Sequence, residues 1–141
     1  MKYDLVKNRL RAYNVIKQQI RDLEVDADKF AKEVVQPVRD TVVRLNTYHK
    51  AEKTAILIAM CADIIAEMNN YIEHLKVAQN LIFDGLLQLP PFEQAVLYCR
   101  FVQGLSWLQV SAKFDYDVRQ LQRIAESGLE KLDSIWYNKA S

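Results

Sequence analysis

The segment formed by residues 89–132 constrains the fold most, because short interruptions divide it into three predicted helices. Pro90 and Pro91 open the first of these helices, since the first helical turn tolerates a missing backbone N–H. Gly104 ends that helix, and Ser106 is a suitable N-cap for the next. The chain therefore folds here as a series of short helices rather than as one continuous rod.

The second predicted helix is short and runs from Trp107 to about Lys113, and residues 115–117 form a tight connection after it. Asp117 is placed to cap a third helix that extends at least to Leu132. Apolar residues recur along these helices at the spacing of a single buried face. The predicted inward residues are Ala95, Val96, Cys99 and Val102, then Val110 and Phe114, then Leu121, Ala125, Gly128 and Leu132.

The opposite side of the third helix is polar over its first two turns. Two short helices joined by a three- to four-residue turn, the second with Arg and Gln outward, are typical of a helix-turn-helix. In that docking mode Arg pairs with guanine and Gln with adenine, while other polar side chains hold phosphates. We predict DNA contacts from Ser106, Trp107, Lys113, Val118, Arg119, Gln120, Gln122 and Arg123. The alternatives are an ordinary polar helix face and, for Trp107, a packing role.

Several short motifs in this segment occur in a fixed order. They are Leu89-Pro90, Glu93, Val96-Leu97, Arg100-Phe101 and Gly104-Leu105-Ser106. Together they resemble region four of bacterial sigma factors, the module that reads an upstream promoter element. The run of residues 116–120, followed by Arg123-Ile124, is similar to small sigma-like regulators of phages and prophages of Gram-positive bacteria, of the ArpU/RinA type. The resemblance implies a DNA-binding function and a possible contact with RNA polymerase for residues 89–141.

Two features depart from the family pattern. The family usually has Gly at the position of Asp115, and Glu126 and Glu130 dilute the positive charge of the third helix. From Leu89 onward the chain has six basic and six acidic residues, and its overall formal net charge is +1. Any DNA binding must therefore depend on a local patch and should be weak for a single domain.

The N-terminal part predicts long helices. Residues 3–35 contain no Gly or Pro, and Pro37 should end or kink the first helix. Residues 38–53 are ambiguous: Val38, Val42, Val43 and Leu45 could continue a helix, whereas residues 46–49 resemble a loop. A second long helix is expected over residues 51–87. The predicted stripes are Leu10, Tyr13, Ile16, Ile20, Leu23, Ala27, Phe30 and Val34, and then Leu57, Met60, Ile64, Met68, Tyr71, Leu75, Ala78 and Ile82.

Matching stripes on two long helices predict a coiled-coil-like helical hairpin, or a dimer in which the stripes of two copies pair. The expected fold is therefore all-α, with a long N-terminal helical hairpin followed by a C-terminal three-helix helix-turn-helix domain. We assign residues 1–88 to dimerisation or partner binding, and residues 89–141 to DNA binding. Trp136, near the end of the chain, is expected to pack on the third helix or on the hairpin.

Other classes of function have little support in the sequence. Cys61 and Cys99 lie in apolar surroundings and are expected to be free, buried thiols. His49 and His74 are the only histidines, and no motif supplies a metal site, a cofactor site or a catalytic nucleophile with its base. The longest apolar run, residues 55–62, is shorter than a membrane span, and the N-terminus lacks the apolar core of a signal peptide. We therefore expect a non-enzymatic protein of the bacterial host cytoplasm, without a cofactor, a metal or membrane contact.

The leading hypothesis is a phage- or prophage-type transcription regulator that binds double-stranded DNA. RNA polymerase is a second candidate partner, and a homodimer through the N-terminal helices is a third interaction to test. One alternative is a sigma-like protein-interaction module that binds RNA polymerase or a host factor without binding DNA. Another is a packaging protein similar to a terminase small subunit, which also joins a helix-turn-helix to helical oligomerisation segments.

Overall fold

A computed structural model describes the backbone of residues 2–44 and 50–137, and the side chains of residues 2–40 and 55–137. Within those ranges every element is helical, so the predicted all-α class is confirmed. The predicted loop at residues 46–49 lies outside the described residues. The helices are α1 (Asp4–Phe30), extended by a π-helical segment (Ala31–Val35), α2 (Gln36–Arg44), α3 (Lys50–Leu87), α4 (Pro91–Leu97), extended by a second π-helical segment (Tyr98–Val102), α5 (Trp107–Phe114) and α6 (Val118–Trp136).

Packing divides the chain into two compact units. The first unit joins Met1–Lys17 to Val77–Ser141, and the second is Gln18–Lys76. The first unit therefore contains the expected helix-turn-helix module together with the first turns of α1 and the last turns of α3. The functional division between residues 1–88 and 89–141 stays a prediction.

A single hydrophobic cluster forms the core of the first unit. Most of the inward residues predicted for the three C-terminal helices are buried in it, and Ala95 and Phe114 are half-buried. Leu97 and Phe101 also belong to the cluster, as do residues from both long helices. The buried members are Val6, Leu10, Ile82, Leu86, Leu89, Val96, Leu97, Cys99, Phe101, Val102, Val110, Leu121, Ala125, Leu129 and Leu132.

The C-terminal end of α6 packs on the end of α3. A Cβ atom added to Gly85 would lie 2.5 Å from Nε1 of Trp136, so the indole ring covers the glycine directly. The guanidinium of Arg9, on α1, lies 4.5 Å from the centre of the same ring. Of the two sites expected for Trp136, the structure therefore shows the contact with the N-terminal helices.

Local signals in the sequence set the ends of the short helices. Ser106 caps α5 through a reciprocal capping box with Gln109, and Asp117 caps α6. Gly104 has a left-handed backbone with φ 76°, and Asp115 follows α5 with φ 57°. The N-caps predicted from the sequence are confirmed.

Asp115→Gly is expected to raise the free energy of unfolding by about 0.5–1 kcal/mol, because Gly adopts this left-handed conformation without the steric penalty of a side chain. Urea denaturation followed by circular dichroism measures the change. Gly104→Ala is the matched control of opposite sign, since an added Cβ at Gly104 meets no atom within 4 Å and only the backbone is strained. A lower unfolding midpoint for Asp115→Gly would contradict the expectation.

The inward face of α1 follows the predicted stripe until the π-helical segment. Val34 was predicted to lie inward, but it is 39% exposed, whereas Val35 is only 5% exposed. A π-helical turn contains one more residue than an α-helical turn, so the inward position moves one residue along the chain. Gln36, which joins this segment to α2, has helical backbone angles of φ −64° and ψ −46°, so the helix does not end before Pro37. The alternative, a kink at Pro37, stays a prediction.

The prediction for α3 is confirmed at Met68, Leu75, Ala78 and Ile82, which are buried or half-buried, and is wrong at its other four positions. Leu57, Met60, Ile64 and Tyr71 were predicted to be inward, but their side chains are 44–55% exposed. Cys61 and Ile72 are buried instead. The helix has two adjacent apolar stripes, and periodicity alone does not indicate which of them packs. The inward stripe is Ile58, Cys61, Ile65, Met68, Ile72, Leu75, Gln79, Ile82 and Leu86, all buried or half-buried.

The part of α3 at Ala55–Leu87 is long and apolar enough to cross a membrane, judged by length and composition alone. The uninterrupted apolar run of residues 55–62 is shorter than a membrane span and predicts no membrane contact. One such helix is weak support for a membrane span, because helices of soluble proteins meet the same criteria. The expectation of no membrane contact stays a prediction.

Candidate nucleic-acid interface

Side-chain hydrogen bonds hold both the N-terminal end of α5 and its connection to α6. The backbone N–H of Ser106 donates to Oε1 of Gln109 at 2.8 Å, and the Gln109 N–H donates to Oγ of Ser106 at 3.2 Å. At the other end of α5, Oγ of Ser111 donates to the carbonyl of Tyr116 at 2.5 Å. Oδ1 of Asp117 accepts from the backbone N–H of Arg119 at 2.7 Å. The Ser111 bond therefore ties α5 to the connection, and the Asp117 bond caps α6 directly after it.

The predicted contact residues occupy the outer surface of this pair of helices. Val118 and Trp107 are half-buried, and the other six predicted residues are exposed. Arg119 and Arg123 are four residues apart on α6 and so lie on one side of the helix. In the part of the chain that the structure describes, neither guanidinium has an ion-pair partner. Glu126 is exposed one turn further along α6, yet it forms no ion pair with Arg123 in the structure.

The buried side of α6 packs closely on α4. A Cβ atom added to Gly128 would lie 2.8 Å from Cδ1 of Leu97, so a larger residue here would require the buried Leu97 side chain to shift. Glu93 on α4 joins the same two helices, because its Oε1 accepts from Oγ of Ser127 at 2.6 Å and its Oε2 accepts from Nζ of Lys131 at 2.9 Å. The Glu93 side chain is only 12% exposed, which limits the screening of these contacts by water. The helix that carries the two arginines is therefore fixed on a packed support.

Arg100 supports the loop before α5. Its Nη1 donates to the carbonyl of Leu105 at 3.2 Å, and its guanidinium lies 5.3 Å from the centre of the Trp107 ring. The Trp107 ring also meets the Phe101 ring edge to face, with centroids 6.5 Å apart. Trp107 therefore has the packing role that the sequence left open, and its contact with DNA stays a prediction.

The structure also places residues beside this surface that the sequence analysis did not select. Lys2, Tyr3 and Lys7 of α1 and its preceding turn line a cavity of about 320 Å³ together with Trp107 and Gln122. More than a hundred residues separate these lysines from Gln122 along the chain. No local pattern indicates such a contact, so only the tertiary structure reveals it.

The described residues include no group of three or more His, Cys, Asp or Glu side chains that could hold a metal ion. Cys61 and Cys99 are both free and buried. His74 is exposed, and its Nδ1 lies 2.8 Å from the carbonyl of Asn70 on the same helix.

Comparisons with protein-family models, with curated proteins and with solved structures find no match for this chain. The resemblance to sigma region four therefore depends on the sequence motifs of residues 89–132.

Proposed function

We propose that this chain is a sequence-specific, DNA-binding transcription regulator of the phage or prophage type, which acts in the cytoplasm of a bacterial host. One observation carries the proposal. Two exposed guanidinium groups, those of Arg119 and Arg123, lie a helical turn apart near the start of α6 without an ion pair to any described residue. Cationic side chains on a capped, firmly supported helix are what major-groove recognition requires.

In this proposal α6 enters the major groove with its N-terminal turns toward the bases. Arg119 and Arg123 each donate two hydrogen bonds to a guanine, while Gln120 and Gln122 pair with adenines. The side chain of Val118 contacts a thymine methyl group. The phosphate contacts come from Ser106 and Lys113 at the two ends of α5, and these position the protein without reading sequence.

The experiment that tests the proposal is a selection of binding sites from random duplexes with the whole chain. We expect a shared motif in the retained duplexes, and an affinity for that motif that falls as salt rises, because phosphate contacts release counterions. A pool that shows no shared motif would contradict sequence-specific binding.

The RNA polymerase flap is a further partner in this proposal, by analogy with sigma region four alone.

The balanced charge of residues 89–141 favours a second candidate function, a protein-interaction module that binds RNA polymerase or a host factor without binding DNA. This candidate is favoured if the immobilised chain retains purified polymerase but does not bind a DNA duplex at about 50 mM salt. Phosphate contacts are strong at that salt concentration, so a DNA-binding chain would bind the duplex there. Duplex binding at that salt would count against it.

We further propose that a second copy of this chain covers the exposed stripe of α3. Leu57, Met60, Ile64 and Tyr71 follow one another at helical spacings of three, four and seven, so they form one apolar strip. Contiguous exposed apolar surface is uncommon in monomers and marks interaction sites. A dimer suits the DNA-binding proposal, because dimers of helix-turn-helix proteins bind two half-sites and so compensate for weak single domains.

Sedimentation equilibrium over a range of concentrations tests this dimer. The wild-type protein is expected to have twice its chain mass of 16.4 kDa. The double variant Leu57→Lys with Ile64→Lys is expected to be a monomer, because charges in an apolar interface oppose association. Val15→Lys on α1, where the native side chain is 58% exposed, controls for the added charge. A wild-type monomer at every concentration would overturn the dimer, and a ring of eight or more copies would favour the packaging protein. A wild-type monomer that floats with lipid vesicles would instead assign α3 to a membrane.

A further inference from the structure

The turn before α1 and the first residues of α1 bring basic side chains to the surface that α5 and α6 form. Lys2, which is exposed, and Lys7, which is half-buried, line one cavity with Trp107 at the start of α5 and Gln122 on α6. Gln122 belongs to the base-contacting set proposed above. The two lysines therefore lie beside the proposed recognition surface, although they belong to the opposite end of the chain.

We propose that Lys2 and Lys7 form a second DNA contact, which holds backbone phosphates flanking the groove that α6 reads. This inference rests on the proposed function and adds a partner surface to it. In helix-turn-helix docking the first helix of the pair lies across the backbone, and Trp107 begins that helix here. Side chains next to Trp107 are thus next to phosphates. Lysine is suited to this role, because its ammonium is a point charge that holds phosphate without base selectivity.

The start of α1 is anchored, so that this contact requires little additional ordering. Val6 and Leu10 are fully buried in the core of the first unit, and Tyr3 packs against the same core. The carbonyl of Tyr3 accepts from the backbone N–H of Lys7 at 2.9 Å. Further along α1, Nδ2 of Asn14 donates to the carbonyl of Val102. Lys7 is therefore attached to a rigid support, which lowers the entropic cost of binding.

The local charges favour an anion. Arg11, one turn beyond Lys7, lies 5.4 Å from the Phe101 ring that also lines the cavity. Two carboxylates oppose them, Glu126 in the cavity lining and Asp4 on α1. In the described part of the chain neither lysine forms an ion pair with a carboxylate. Their charges are therefore available to a ligand that approaches from outside.

The test is the salt dependence of duplex binding by the whole chain, measured with the selected motif and with an unrelated duplex. Lys2→Gln with Lys7→Gln should lower the affinity roughly ten- to fifty-fold on both duplexes, and should reduce the slope of log K against log salt by about 2, since each phosphate contact contributes about one unit. The preference for the motif should not change, because phosphate contacts carry no sequence information.

The matched control is Lys17→Gln with Lys29→Gln, which removes the same charge from exposed positions elsewhere on α1. Its slope should stay close to that of wild type. Lys7→Arg with Lys2→Arg keeps the charges and should restore the slope, which separates a loss of charge from a loss of folding. If the chain selects a motif but the glutamine pair leaves the slope unchanged, this inference fails and the proposed function stands. If no duplex is bound at low salt, the proposed function itself fails.

Discussion

We expect that replacing Arg119 and Arg123 together by Ala removes most of the preference of the protein for its selected DNA motif. Each bidentate pair between Arg and guanine is worth about 1–3 kcal/mol, so losing two pairs should weaken binding to the motif by a factor between about 30 and about 2 × 10⁴. Binding to unrelated DNA falls much less, because it depends on phosphate contacts. Fluorescence anisotropy with the motif and with a scrambled duplex measures both affinities.

The variant should remain folded, because both arginines are exposed and make no ion pair with a described residue. Arg21→Ala with Arg39→Ala is the matched control, since it removes two exposed arginines from the second compact unit. Arg119→Lys with Arg123→Lys is a sharper test, because it keeps the charge but loses the bidentate geometry. If the alanine pair binds the motif as tightly as wild type, α6 is not the recognition helix.

Leu121→Ala destabilises the first compact unit by about 2–5 kcal/mol, because it removes a fully buried side chain and leaves a cavity under the start of α6. That is a large fraction of the about 5–15 kcal/mol that holds a typical domain folded. The unfolding midpoint in urea, followed by circular dichroism, should fall accordingly. DNA binding should weaken as well, since the recognition surface is built on this packing.

Leu108→Ala is the control for this substitution, because it makes the same chemical change at a leucine that is 77% exposed. Its effect should stay within about 0.5 kcal/mol of wild type. Equal stability losses for the two variants would mean that α6 does not pack as described. A preserved motif affinity in folded Leu121→Ala would show that the supporting core does not position the arginines.

Much of the fold could be predicted from short stretches of sequence. The ends of α5 and α6 follow from Ser106 and Asp117, because a capping side chain bonds to N–H groups two or three residues away. The polar face of α6 and its buried residues follow from helical periodicity in the same way. The candidate recognition surface on α6 was therefore available from the sequence.

The predicted inward faces of α1 and α3 were partly wrong, because apolar spacing along a helix does not settle which residues are buried. On α3 two neighbouring apolar stripes share Met68, Leu75 and Ile82. Elsewhere on the helix the structure buries Cys61 and Ile72 and exposes the predicted Leu57, Met60, Ile64 and Tyr71. On α1 the predicted stripe is displaced at Val34 by the π-helical segment, which amphipathic spacing does not reveal. In both helices the choice depends on what the helix packs against.

The helical class, the limits of the short helices and the polar face of α6 follow from interactions between residues a few positions apart, so the amino-acid order is enough to predict them. The position of Lys2 and Lys7 beside Gln122, and the contact of Trp136 with Gly85, depend instead on how the folded chain packs. Such contacts join distant parts of the chain, and they are selected by the shape and burial of whole faces. Local spacing contains no information about that selection.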